Sequence, residues 1–109
     1  MLELWQTEWC PASRRVRERL TELGVDYVAR QVPVERDERI ALQRVTGTKA
    51  IPALTGADTL PVIGENAILV YLATHVAEPS GATAHRRKAA LARRRYLEEE
   101  CECPQPATP

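Results

Sequence analysis

Leu2-Glu3-Leu4-Trp5-Gln6-Thr7-Glu8-Trp9-Cys10-Pro11-Ala12-Ser13 passes from a strand into a helix through a loop that ends on a cysteine. Leu2 to Gln6 alternates in the manner of a short strand, and Thr7 to Cys10 breaks the pattern. Pro11 suits the first position of a helix, where a missing N–H costs nothing. From Ala12 onward Val16, Leu20 and Leu23 recur at helical spacing, with Arg and Glu on the other face and Gly24 as the stop. Cys10 therefore stands where a helix begins. A thiolate there faces the unsatisfied amides of the first turn and the positive end of the helix dipole. A free thiol titrates at about 8.5, and a helix N-terminus lowers that value markedly. Ser13 is placed to donate to the sulfur and Arg14 to add positive charge, while Glu8 opposes them. The alternative reading of Cys10 is a small buried hydrophobe, with Ser13 merely a polar residue of the first turn.

Further along, Val25 to Val32 reads as a second strand, ended by Pro33, and Glu35 to Val45 as a helix ended by Gly47. Ala53 to Thr55 and Thr59 to Ile63, with Gly56-Ala57-Asp58 between them, read as a hairpin. Glu65 to Val76 reads as a helix, apolar on most of its surface and so expected to be largely buried. The order βαβα-ββα needs a mixed sheet with helices on both faces. A four-stranded, thioredoxin-like α/β fold is the first candidate. Pro79-Ser80-Gly81 reads as a linker and Thr83 to Glu100 as a charged helix, with Pro104 to Pro109 expected to be disordered. The organisation is thus a domain over 1–78 and a helical tail over 79–109.

With 109 residues, 44% of them hydrophobic and 28% charged, the chain has the composition of one soluble domain. Phe is absent, so aliphatic side chains must fill the core. A net charge of zero argues against nucleic acid or an anionic membrane as partner. No apolar run is long enough for a membrane helix, and Arg14 to Arg19 falls where a signal-peptide core would lie. A cytoplasmic protein is expected. Cys10, Cys101 and Cys103 make a poor disulfide framework. The Cys-x-Cys pair reads first as two exposed thiols in a mobile tail and alternatively as a resolving or soft-metal pair.

Three separated segments carry a resemblance to the glutaredoxins and the related glutathione S-transferase N-terminal domains. Trp9-Cys10-Pro11-Ala12-Ser13 resembles the family's active loop, Cys-Pro-x-Cys or Cys-x-x-Ser. Thr46-Gly47-Thr48-Lys49-Ala50-Ile51-Pro52 resembles the segment that ends in Thr-Val-Pro with a cis proline. Gly64-Glu65-Asn66-Ala67-Ile68 through Tyr71-Leu72 resembles both the Gly-x-Asp-Asp segment of glutaredoxins and the Glu-Ser-x-Ala-Ile-x-x-Tyr-Leu segment of the transferases. The resemblance runs from Leu2 to about Val76. It implies a glutathione-dependent thiol–disulfide oxidoreductase of single-cysteine type, with Cys10 and Ser13 in the catalytic loop and glutathione as co-substrate. The backbone of Ile51, before a cis Pro52, is implied to pair with the cysteinyl part of glutathione. The amides of Glu65 and Asn66 would take the γ-glutamyl carboxylate, and Lys49 the glycine carboxylate, with Gln43 or Arg44 in reserve. Each of these residues also has an ordinary reading: Pro52 as the start of an edge strand, Glu65 and Asn66 as caps, Lys49 as a solvated charge.

The chain departs from the family in having Thr7 and Glu8 where glutaredoxins carry a basic residue, and Ser13 where dithiol members carry a second cysteine. The loop is not the Cys-Gly-Phe-Ser form of the cluster carriers, and the transferases' helical second domain is not expected within these 109 residues. Two other functions stay open: a non-catalytic module that binds glutathione or another small thiol, and an iron–sulfur cluster carrier. Expected partners are glutathione and disulfide-bearing or glutathionylated proteins. The expected state is a monomer or weak homodimer, with no resident metal.

Overall fold

The structure, a computed structural model, describes residues 1–56 and 60–97. The chain divides into two compact units, Met1–Pro79 and Ser80–Pro109. In the first, β1 (Leu2–Gln6) leads into α1 (Pro11–Glu22) and β2 (Tyr27–Gln31). A 3-10 turn (Arg36–Glu38), α2 (Ile40–Thr46), β3 (Ala53–Thr55), β4 (Val62–Ile63) and α3 (Glu65–His75) follow. The four strands lie in the order β2-β1-β3-β4. β1 runs parallel to β2 and antiparallel to β3, and β3 pairs antiparallel with β4. This is the mixed sheet of a thioredoxin-like α/β fold.

Side-chain alternation divides the core between the two faces of the sheet. Leu4 and Leu54 point to one face and pack with Val16, Leu20 and Leu23 of the α1 region and Ile68 and Leu72 of α3. Ala53 points to the other face, with Leu42 of α2, Val32, Trp5 and Ile63. In place of the absent Phe, the fully buried large side chains are chiefly Leu, with Ile68 and Val16. The Trp5 indole N–H donates to Thr55 Oγ1 at 3.0 Å, tying β1 to β3.

Three expectations are corrected. The helix read over Glu35 to Val45 is broken at Arg39, whose φ of −81° and ψ of 56° are not helical. The Arg39 guanidinium donates to the carbonyls of Pro33 (2.9 Å), Lys49 (3.1 Å) and Val34 (3.3 Å), so tertiary bonds override local helix propensity. Helix α3 is apolar but not largely buried: only Ile68 and Leu72 are, and Val70 is 66% exposed. Tyr71 is partly buried against the same cluster, and Val70 lies on the uncovered side of the helix. The strands are also shorter than read. β2 begins at Tyr27 and is exposed along four of its five residues, as an edge strand, and β4 holds only Val62 and Ile63.

In the second unit α4 spans Ala82–Leu97, close to the helix expected from Thr83. Residues 57–59 of the hairpin loop and 98–109 lie outside the described residues, and with them Cys101, Cys103 and the end of the tail. Among the described residues no helix is long and apolar enough to cross a membrane.

Candidate functional site

Strand β1 delivers the chain to the start of α1, and Cys10 is the N-cap of that helix. Its sulfur accepts the Ser13 amide at 3.4 Å, and Pro11 opens the helical turn. Burial pushes the half-buried thiol up, but the Ser13 side chain, the amides of Ser13 and Ala12 and the charge of Arg15 outweigh it. The thiol is therefore held below its ordinary value. Ser13 is wholly buried, and its oxygen also accepts the Thr7 amide at 3.4 Å, which fixes the loop ahead of the cysteine. Arg15, not Arg14, supplies the positive charge; Arg14 is paired with Glu18 at 3.0 Å.

Beneath the loop lies a polar network that sequence reasoning missed. Gln6 falls in phase with Leu2 and Leu4 on the α1 face and has no exposed surface. Its carbonyl accepts from Arg17 Nη1, and its amide donates to Glu8 Oε1 at 2.9 Å and Gln31 Oε1 at 3.2 Å. Arg17 also donates to the carbonyls of Thr7 (3.2 Å) and Glu8 (3.3 Å). The Glu8 carboxylate is thus turned to Gln6 and Arg17, which hold it below the usual carboxylate range. The expected opposition of Glu8 to the thiol gives way to a structural role in the loop. The Thr7 hydroxyl is the one buried side-chain polar atom without a partner among the described residues.

The second segment reaches the same end of the sheet. The Ile51–Pro52 peptide bond is cis, Pro52 is buried, and Ile51 is half-buried. Ala53 pairs with Trp5, so continuing the register sets Pro52 and Ile51 opposite Gln6 and Thr7, at the head of the cysteine loop. Lys49 stands farther along, with Nζ donating to the Asp37 carbonyl at 3.3 Å.

The third segment is fastened to both others. The Gly64 amide donates to the Pro52 carbonyl at 2.8 Å. Gly64 is the N-cap of α3, at φ 94° and ψ 154°, and makes no side-chain cap. Glu65 opens the helix, and both its oxygens are taken by Arg15, through Nε and through Nη2, the latter at 2.8 Å. This bidentate pair holds the Glu65 carboxyl below its usual range. Asn66 is exposed beside it. Cys10, Ser13, Pro52 and Glu65 are therefore linked through one another or through Arg15 and Gly64, while Lys49 marks the outer end. Arg15 and Arg17 fall on the polar face of α1 and Arg39 within the helix expected over Glu35 to Val45, and the sequence assigns a partner to none of them. Only Gln6, a polar residue in phase with two leucines, carried a signal of buried polarity in the sequence.

A cavity of about 480 Å³ lies at the other end of β1, lined by Met1 and residues of the turn from α1 into β2. It is remote from Cys10.

The sequence profile of the glutathione S-transferase N-terminal domain family matches residues 4–80. No curated protein matches the chain. Among solved structures the fold is similar to that of a possible glutathione S-transferase from Rhodopseudomonas palustris. The TM-score is 0.60 at 27% identity, over 70% of this chain and 40% of that one. Human glutathione S-transferase T1-1 gives a TM-score of 0.59 at 25% identity, over 68% of this chain and 31% of that one. Glutaredoxin 2 of Salmonella typhimurium, solved in complex with glutathione, gives 0.58 at 18% identity, over 66% and 32%. This chain thus spans less than half the length of the solved proteins it matches.

Proposed function

The chain belongs to the glutathione S-transferase N-terminal domain family, and from that premise we propose that it is a glutathione-dependent thiol–disulfide oxidoreductase of single-cysteine type. The observation that carries the reading is a partly exposed thiol that caps a helix and is biased toward its thiolate. The Cys10 thiolate attacks the glutathione sulfur of a mixed disulfide. A Cys10–glutathione disulfide forms, the old S–S bond breaks, and the departing protein thiolate takes a proton from water. A second glutathione thiolate then attacks the glutathione sulfur of that disulfide, so that the S–S bond of oxidised glutathione forms as the bond to Cys10 breaks and Cys10 leaves as the thiolate. Ser13 has no sulfur with which to resolve the intermediate; its part is to donate to the thiolate and hold the loop.

In this proposal the residues from Lys49 past Ile51 and Pro52 to the start of α3 form the groove in which the tripeptide lies. The Ile51 backbone pairs with its cysteinyl unit as an added strand would. The first amides of α3, at Glu65 and Asn66, take the γ-glutamyl carboxylate, and the Glu65 side chain takes the ammonium. Lys49 meets the glycine carboxylate. Residues 1–78 suffice for this site, with 79–109 as an appendage, and the reaction suits a reducing compartment such as the cytoplasm. The test is a deglutathionylation assay on a glutathionylated protein. Wild type turns over and Cys10→Ala falls to the uncatalysed rate; equal rates for the two proteins would overturn the proposal.

A further inference from the structure

Two helix N-termini converge at the site, and one side chain joins them. Arg15 arises from the second turn of α1. Its guanidinium grips both oxygens of Glu65, the first residue of α3, fifty positions away. The pair is open to solvent, with side-chain exposures of 57% for Arg15 and 21% for Glu65, so an incoming charged group can compete for either member. We infer that Arg15 is a positioning residue that couples occupation of the groove to the reactivity of Cys10. Glu65 holds its guanidinium in the structure, and a ligand ammonium that claims Glu65 releases it to the sulfur. The inference rests on the reading of the groove as a γ-glutamyl site.

The chemistry runs as a competition. A γ-glutamyl group carries an ammonium and a carboxylate on one carbon. The carboxylate suits the first-turn amides of α3, which no side chain caps. The ammonium then lies near Glu65, where it and Arg15 contend for the same two oxygens. Arg15 acts on the Cys10 sulfur through its charge, beside the hydrogen bonds of Ser13 and Ala12. Other charged groups nearby are engaged as well: Arg14 with Glu18, which also attracts Arg15, and Arg17 and Glu8 with each other and with Gln6. Arg15 is the cation with a reason to move. Because coupling is reciprocal, the thiolate form of the protein must also bind the ligand more tightly, by the factor through which the ligand shifts the thiol.

The test is the pH midpoint of Cys10 alkylation, read by peptide mass spectrometry so that Cys101 and Cys103 are counted separately. The probe is γ-glutamyl-alanyl-glycine, which is glutathione with a hydrogen in place of the thiol. Binding of the probe is measured in parallel by calorimetry. In wild type the probe is expected to lower the midpoint by about half a unit, less than a desolvated opposite charge would, because the pair is solvated. Without probe, Glu65→Gln should already show a midpoint below wild type. Arg15→Gln should show one above it and no response to the probe, and Arg15→Lys should restore part of the response. A probe that binds while the wild-type midpoint stays put or rises overturns the coupling. So does an Arg15→Gln protein that responds like wild type. A probe that does not bind overturns the γ-glutamyl reading instead, and the midpoints of the two variants without probe then decide whether the Arg15–Glu65 pair governs the thiol.

Discussion

Helix α1 begins on a sulfur that accepts an amide of its own first turn, whereas α3 begins on Gly64, which has no side chain to offer. The first arrangement spends the positive end of the helix on the protein's own sulfur: burial pushes the thiol up, but the Ser13 side chain and the first-turn amides hold it below its ordinary value. The second leaves the first-turn amides of α3 without a side-chain cap, and it is there that the proposed function seats an anion. Acidic residues are similarly divided: α1 has none in its first turn, where one would push the thiol up, and α3 has Glu65, neutralised by Arg15. In the proposed function the same backbone feature is an activator at one helix and a receptor at the other.

Substitution at the two caps sharpens this contrast, beginning with the larger effect. Gly64 holds φ 94° and ψ 154°, a region almost closed to other residues, although an added Cβ would meet nothing within 4 Å. Gly64→Ala should therefore cost about 1–3 kcal/mol through backbone strain alone, measured by urea unfolding. A change under about 0.5 kcal/mol, the scale of an ordinary surface substitution, would mean that the start of α3 is free to relax. Cys10→Ala removes a cap rather than a backbone permission and should cost about 1 kcal/mol, with Cys10→Ser recovering most of it. That cost has a pH signature. The folded thiol titrates below its unfolded value, so its extra stability is complete above the ordinary thiol range and fades as pH falls through the lowered folded value. The gap between wild type and Cys10→Ala should accordingly widen as pH rises across that window. A gap that is flat with pH would separate capping from thiolate stabilisation.

Much of the fold could be read from short-range pattern. Strand β1, the Cys10–Pro11 helix start, the stop at Gly24 and the left-handed Gly47 after α2 are local features, and each appears where propensity put it. What escaped notice is long-range and polar. The periodicity of Arg14 to Arg19 marks an exposed helix face, but nothing local says that Arg15 meets Glu65 or that Arg17 turns inward to Gln6. Arg39 escaped for the same reason, and its three carbonyl bonds broke a helix that pattern alone made continuous. Burial of α3 was overstated because composition reports how apolar a helix is, not how many neighbours cover it: Ile68 and Leu72 face the sheet and Val70 faces away. At the site, the order and spacing of three segments carried the reading of the groove, while the side chains that fasten the segments together emerged only from the fold.

The most direct measurement is mass spectrometry of the purified protein after brief exposure to oxidised glutathione at pH 7, followed by peptide mapping. A thiolate that caps α1 beside a groove for the tripeptide predicts one glutathione adduct, on Cys10. No adduct, or adducts confined to Cys101 and Cys103, would contradict it.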